Sequence, residues 1–160
     1  GMTESFRTEE MFFMMKKINL DWTAQLEMKF PRKDVTGVQL YFLVYILRHH
    51  PKGTYITELC HEIGVAKSTL SELIKKLREK GYLYFERNPD DIRKKKVVPT
   101  EQLLNKAEEL LKNADQIEAE IFSVLDRQER IQMWKLEKKL LMQLAKMEDN
   151  EKNRQEVYLP

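Results

Sequence analysis

The chain has 160 residues, a formal net charge of +2, 34 % charged and 42 % hydrophobic residues, and only five glycines and five prolines. That length suits one domain, or one small domain with dimerisation arms, and so few turn formers argue against a sandwich or barrel. The single cysteine excludes an intramolecular disulfide and any multi-cysteine metal site, and fits a reducing compartment.

No signal-peptide pattern opens the sequence, and its longest apolar run, Leu40 to Leu47, is too short to span a bilayer. A cytoplasmic protein with no membrane partner is expected. Charge is unevenly spread. Residues 67–96 hold ten Lys/Arg against five Asp/Glu, and the remainder holds 18 against 21. Positive charge concentrated in one segment is what phosphate binding needs, although a solvated lysine run explains it equally well on its own.

Thr8 with Glu9 and Glu10 reads as a helix start, a cap followed by acidic residues near the positive end of the dipole. Met11, Met15, Ile18, Trp22 and Leu26 follow helical spacing up to Phe30, and Pro31 ends the helix because it has no N–H to donate. Phe12, Phe13 and Met14 widen the apolar stripe beyond what a small domain can cover. Packing within one chain explains it; contact with a second subunit explains it better, because both ends of the chain look this way.

Thr36-Gly37-Val38-Gln39 fits a capping box. The helix it opens, Val38 to His49, is apolar on nearly every side and should form the centre of the fold. Pro51-Lys52-Gly53 is a turn, and Tyr55-Ile56 is a candidate short strand before Thr57 caps the next helix. In that helix Ile56, Leu59, Cys60 and Ile63 form one stripe, and Gly64 supplies the left-handed stop. Cys60 on this stripe reads as a small buried hydrophobe. Leu70, Leu73, Ile74 and Leu77 repeat the spacing in a second helix, giving a helix-turn-helix. Tyr82 to Arg87 and Ile92 to Val98, joined by the turn cluster Asn88-Pro89-Asp90-Asp91, read as a β-hairpin with a basic outgoing arm, and Pro99 fits a strand end. Such a hairpin after a helix-turn-helix makes a winged helix. Thr100 caps a long helix from Leu103 to Ile121. Asp126-Arg127-Gln128-Glu129 resembles a second capping box and opens a last helix through Trp134, Leu140, Leu141, Leu144 and Met147. The tail from Asp149 to Pro160 is polar and expected to fray.

These residues carry a resemblance to the MarR family of winged-helix transcription regulators over about residues 8–148, strongest from Ile56 to Thr100. Asp91 and Arg93 match the Asp-x-Arg of the family's wing. The resemblance implies a mainly α fold with a small β-hairpin wing, built as a winged helix-turn-helix with N- and C-terminal dimerisation helices. The expected organisation is an N-terminal dimerisation helix (1–35), the DNA-binding domain (36–100), C-terminal dimerisation helices (101–148) and a flexible tail (149–160). It further implies a homodimer on double-stranded DNA with a pseudo-palindromic operator, and a small aromatic effector. The chain departs from the family's usual residues at Ala66 (often serine), Phe85 (often basic), Pro99 (leucine), Leu103 (often glycine) and Glu72 (often basic).

On the second helix Ser68, Glu72 and Lys75 lie opposite the apolar stripe. Base readout is expected from Ser68, Thr69, Ser71 and Glu72, and phosphate contact from Lys67, Lys75 and Lys76. Glu72 either selects cytosine, whose amino group a carboxylate accepts from, or pairs with Lys75 or Lys76 at helical spacing. In the wing, the family likeness places Arg93 in the minor groove with Asp91 orienting it. Lys94 and Lys95 are further candidates, since successive strand residues alternate sides; the same lysines also protect an edge strand from aggregation. His49 and His50 suit a helix C-terminus, and no spacing supports a metal. No nucleophile–base pair or Gly-rich phosphate loop emerges, so no enzyme and no cofactor are expected. Trp22, Tyr41 and Tyr45 either line an effector pocket or serve as ordinary core. The rival reading is a winged-helix protein-interaction module without DNA binding.

Overall fold

A computed structural model describes residues 7–158, with all side chains in that range except those of residues 92, 93 and 155–158. Residues up to Glu118 form one compact unit and those from Ala119 onward a second. The chain is mostly helical, with one small three-stranded antiparallel sheet. Among the described residues no helix is long and apolar enough to cross a membrane.

In the first unit, α1 (Thr8–Lys29) begins with Arg7 as N-cap, so Thr8 is its first helical residue rather than the cap expected above. Glu9 and Glu10 do fall in the first turn, and the helix stops before Pro31. Thr23 and Leu26 are buried near its C-terminal end, whereas Met11, Phe12, Phe13, Met14, Met15 and Ile18 are exposed. α2 (Gly37–His49) opens on the capping box anticipated from sequence: the Gln39 amide donates to Thr36 Oγ1 at 3.2 Å, and the Thr36 amide donates to Gln39 Oε1 at 3.1 Å. Leu40, Phe42, Leu43, Val44, Ile46 and Leu47 are buried, and this helix is the centre of the unit.

α1 and α2 cross closely because Gly37 has no side chain. A Cβ there would lie 2.3 Å from Thr23 Cβ and 2.7 Å from the Thr23 carbonyl oxygen. Thr23 is itself fixed, its hydroxyl donating to the Asn19 carbonyl at 2.9 Å. Gly37→Ala is therefore expected to force the two helices apart and to destabilise the chain by about 1–3 kcal/mol, the usual range for overpacking. Urea unfolding checks this, and an unchanged midpoint would show that the crossing yields freely.

β1 (Thr54–Tyr55) leads straight into α3 (Ile56–Ile63). Thr57 is not the cap expected of it: the N-cap is Tyr55, without a side-chain hydrogen bond, and Thr57 lies inside the first turn. The reason is tertiary. Thr54 and Tyr55 pair with Val97 and Lys96 as a sheet edge, which sets where the extended backbone ends. Gly64 stops α3 with φ 78°, its amide donating to the Cys60 carbonyl at 2.8 Å. Cys60 itself is half-buried rather than buried.

α4 (Lys67–Glu79) buries Leu70, Ile74 and Leu77, and leaves Leu73 half-buried. β2 (Leu83–Asn88) and β3 (Asp91–Pro99) form the hairpin, with strand order β1-β3-β2 and Phe85 opposite Val97. Pro99 is the last residue of its strand, where its missing N–H does no harm. Thr100 then joins three elements. Its amide donates to the Tyr82 carbonyl (3.0 Å), its hydroxyl to the Gly81 carbonyl (2.6 Å), and the same oxygen accepts from the Leu103 amide (3.2 Å) at the start of α5 (Glu101–Phe122).

In the second unit, α6 (Arg127–Tyr158) opens on the reciprocal box read from sequence: the Glu129 amide donates to Asp126 Oδ1 at 2.8 Å and the Asp126 amide to Glu129 Oε1 at 2.9 Å. No described side chain of this 32-residue helix is buried. The polar stretch from Asp149, expected to fray, is helical through Tyr158. Its Glu, Lys, Gln and Arg residues favour helix, and Lys152 pairs with Glu148 one turn back at 3.4 Å.

Candidate nucleic-acid interface

α4 offers a polar face because its apolar stripe is used up in the core. Lys67, Ser68, Thr69, Ser71, Glu72, Lys75 and Lys76 are all exposed, as their spacing required. Ala66, the N-cap, has extended backbone and no side-chain cap, so the first turn lacks the hydroxyl acceptor that a serine there would supply. Glu72 makes no ion pair with Lys75, Lys76 or any other cation among the described residues. Its carboxylate therefore stands open at the middle of the face, rather than neutralised along the helix.

The wing turns at Asn88, whose Oδ1 accepts from the Asp90 amide at 2.9 Å, and a register shift falls between Arg87 and Asn88. Asp91 starts β3, and Arg93 lies within it; the Arg93 side chain is outside the described residues. Lys94 and Lys95 are exposed, and Lys96 is half-buried. Glu86 stands opposite Lys96, a complementary pair, whereas Arg87 stands opposite Lys95. Like charges directly across a ladder repel, which an arriving anion relieves.

α4 and the wing meet at a cleft of about 430 Å³ lined by Tyr55, Ile56, Thr57, Glu58, Lys67, Phe85, Lys94 and Lys95. The fold thus brings Lys67 together with Lys94 and Lys95, residues far apart in sequence. Glu72, Lys75 and Lys76 do not line this cleft. The Phe85 ring is half-buried there, with Arg78 Cζ 4.1 Å and Lys95 Nζ 5.3 Å from its centroid. Arg78 was not among the residues singled out from sequence. The signal was present, since Lys67, Ser71, Lys75 and Arg78 fall at i, i+4, i+8 and i+11 on one stripe.

Two polar clusters lie elsewhere in the first unit. The Trp22 indole N–H donates to the Tyr41 hydroxyl, which donates to Glu118 Oε2 at 3.0 Å, and Glu118 Oε1 accepts from Arg48 Nη2 at 3.1 Å. Arg48 also pairs with Asp115. The Trp22 and Tyr41 rings meet edge to face at 5.8 Å. Burial pushes the Tyr41 hydroxyl up to about 12. Trp22 and Tyr41 are half-buried members of a polar chain across α1, α2 and α5, and neither is plain apolar core. Tyr45 instead donates to Glu62 Oε1 at 2.7 Å, and His50 Nε2 contacts the same oxygen at 2.7 Å. The hydrogen bond from His50, then that from Tyr45, holds the Glu62 carboxyl below its ordinary range. His50 thus ties the end of α2 to α3 rather than only completing its own helix. Among the described residues no group of three His, Cys, Asp or Glu side chains gathers to hold a metal ion.

This arrangement, a helix-turn-helix closed by a β-hairpin, is a winged helix. Residues 33–94 match the family model described as MarR family. Solved structures share the fold well beyond that segment. The transcription regulator MarR from Oenococcus oeni PSU-1 is 19 % identical, with a TM-score of 0.69, covering 84 % of this chain and 98 % of its own. The MepR protein of S. aureus, solved as a DNA complex, is 22 % identical (TM-score 0.69; 88 % and 99 % covered). A MarR family transcriptional regulator from Listeria monocytogenes, complexed with 26mer DNA, is 18 % identical (TM-score 0.67; 84 % and 89 % covered). At such identities the likeness concerns the fold. No curated protein matches the chain by sequence.

Proposed function

We propose that the chain is a dimeric, sequence-specific double-stranded DNA-binding transcriptional regulator, acting as a repressor and responsive to a small aromatic molecule. The observation that carries this reading is the joint surface of α4 and the wing: a fully exposed polar helix face beside a cleft flanked by Lys67, Lys94 and Lys95. None of these lysines has an acidic partner within ion-pair reach among the described residues. Ser68, Thr69, Ser71 and Glu72 are the candidates for base readout in the major groove; Lys67, Lys75 and Lys76 are those for phosphate. Asp91 and Arg93, with Lys94 and Lys95, are assigned to the wing contact. That the S. aureus and Listeria neighbours were solved with DNA supports the same reading.

The dimer is supported by apolar surface that a single chain leaves bare, on α1 and, separately, on α6. A two-fold dimer asks for a pseudo-palindromic operator with half-sites about 10 bp apart.

The test is an anisotropy titration against the DNA upstream of the chain's own gene and against random duplex, over a range of salt, with and without aromatic acids. Tighter binding to the upstream DNA, weakening steeply with salt through counterion release, is the expected result. Arg93→Ala should lose affinity while the dimer persists in sizing chromatography; equal affinity would remove Arg93 from the interface. A second reading, an interaction module that does not bind DNA, is favoured by the open carboxylate of Glu72 in the reading face. No binding to either duplex selects it.

A further inference from the structure

We propose that Phe85 is a positioning residue for the DNA interface: its ring holds Arg78 of α4 and Lys95 of β3, so that the recognition helix and wing present these cations at a fixed spacing. The inference rests on the DNA-binding reading above.

Phe85 lies opposite Val97, and directly opposed residues of an antiparallel pair share a face of the sheet. Val97 is fully buried, so this face looks inward, towards the helices. Lys95, two residues before Val97 on the same strand, shares that face by the period-2 rule. Arg78 reaches the ring from the last turn of α4. Two cations from different elements thus meet one aromatic ring, at 4.1 and 5.3 Å from its centroid.

Like charges repel, and no carboxylate holds these two together: neither Arg78 nor Lys95 has an ion-pair partner among the described residues. The attraction available to both is the negative face of the ring. A guanidinium laid over a ring keeps its N–H edge free, and that edge matches a phosphate oxygen pair. The ring therefore gathers positive charge without neutralising it. A carboxylate in the same place would gather the cations and cancel them. An aliphatic side chain would fill the space and hold neither.

That contrast supplies the test. Phe85→Leu keeps apolar bulk and removes the π face; Phe85→Tyr keeps both. Each full-length variant is checked by circular dichroism and thermal melting, then titrated with the upstream duplex over a range of salt. Phe85→Leu is expected to bind roughly 5- to 30-fold more weakly, the size of two exposed cation–π contacts, with Phe85→Tyr close to wild type. In the free protein, the ring-current shifts of the Arg78 Hδ and Lys95 Hε protons should vanish in Phe85→Leu and persist in Phe85→Tyr. Arg78→Met combined with Phe85→Leu should cost less than the two singly added, because both remove one contact. A folded Phe85→Leu protein that binds like wild type overturns the inference, as does a folded Phe85→Tyr protein that binds as weakly as Phe85→Leu. Should Phe85→Leu fail to fold, Arg78→Met alone decides: wild-type affinity overturns the inference. If wild type itself prefers no duplex, the DNA reading falls and takes the inference with it. That outcome is distinct because wild type and variants then behave alike while the ring-current shifts remain.

Discussion

Leu77→Ala is expected to destabilise the chain by about 2–5 kcal/mol, the range for emptying a fully enclosed leucine site. Leu77 has no exposed surface, and it lies on the same stripe of α4 as Leu70 and Ile74, both equally enclosed. The backbone nearby is also committed, since the Leu77 carbonyl accepts from the Tyr82 amide at 3.0 Å where the chain turns into β2. The neighbourhood therefore has little freedom to collapse into the space. The loss should appear as a lower urea midpoint at fixed protein concentration, with the slope unchanged. DNA affinity should fall only in proportion to the unfolded fraction, because Leu77 faces the core. A variant as stable as wild type would mean that α4 is not anchored through this stripe.

Leu141→Glu should abolish the proposed dimer. Leu141 is 62 % exposed in the single chain, and Trp134, seven residues earlier on the same stripe of α6, is 60 % exposed. In a monomer, a charge at so open a position changes stability by no more than about 0.5 kcal/mol. Buried at a subunit interface without a partner, the same carboxylate costs several kcal/mol, enough to move the equilibrium to monomer at micromolar concentration. Sedimentation velocity separates the two cases. A Leu141→Glu protein that sediments as wild-type dimer would place the interface elsewhere. Loss of the dimer should also weaken operator binding far more than single half-site binding, because the two reading heads then no longer act together.

Local chemistry was the most readable part of the chain. Both capping boxes, Thr36 with Gln39 and Asp126 with Glu129, form as their spacing implied, because each is complete within four residues. The stop at Gly64 and the exposed face of α4 followed from steric and periodic rules that need no tertiary information. The start of α3 did not, since Thr54–Tyr55 becomes strand only by pairing with Lys96 and Val97 more than forty residues away. The Gly37–Thr23 crossing was equally hidden: nothing local distinguishes a glycine inside a capping box from one against which another helix must lie. The Trp22–Tyr41–Glu118 chain spans three helices, so the sequence offered its members only as scattered aromatics and acids. Phe85 stood out merely as an apolar residue where a basic one was expected; its cations become visible once α4 and the hairpin are side by side.

Thr100 has a mechanical consequence. One hydroxyl and one amide clasp the turn after α4, the root of the hairpin and the first turn of α5. These bonds are short-range and directional, so they act as a rivet rather than a cushion. The start of α5 and the root of the hairpin are therefore held through the same residue. Replacing Thr100 would thus loosen three elements at once, where most single side chains on this surface serve one.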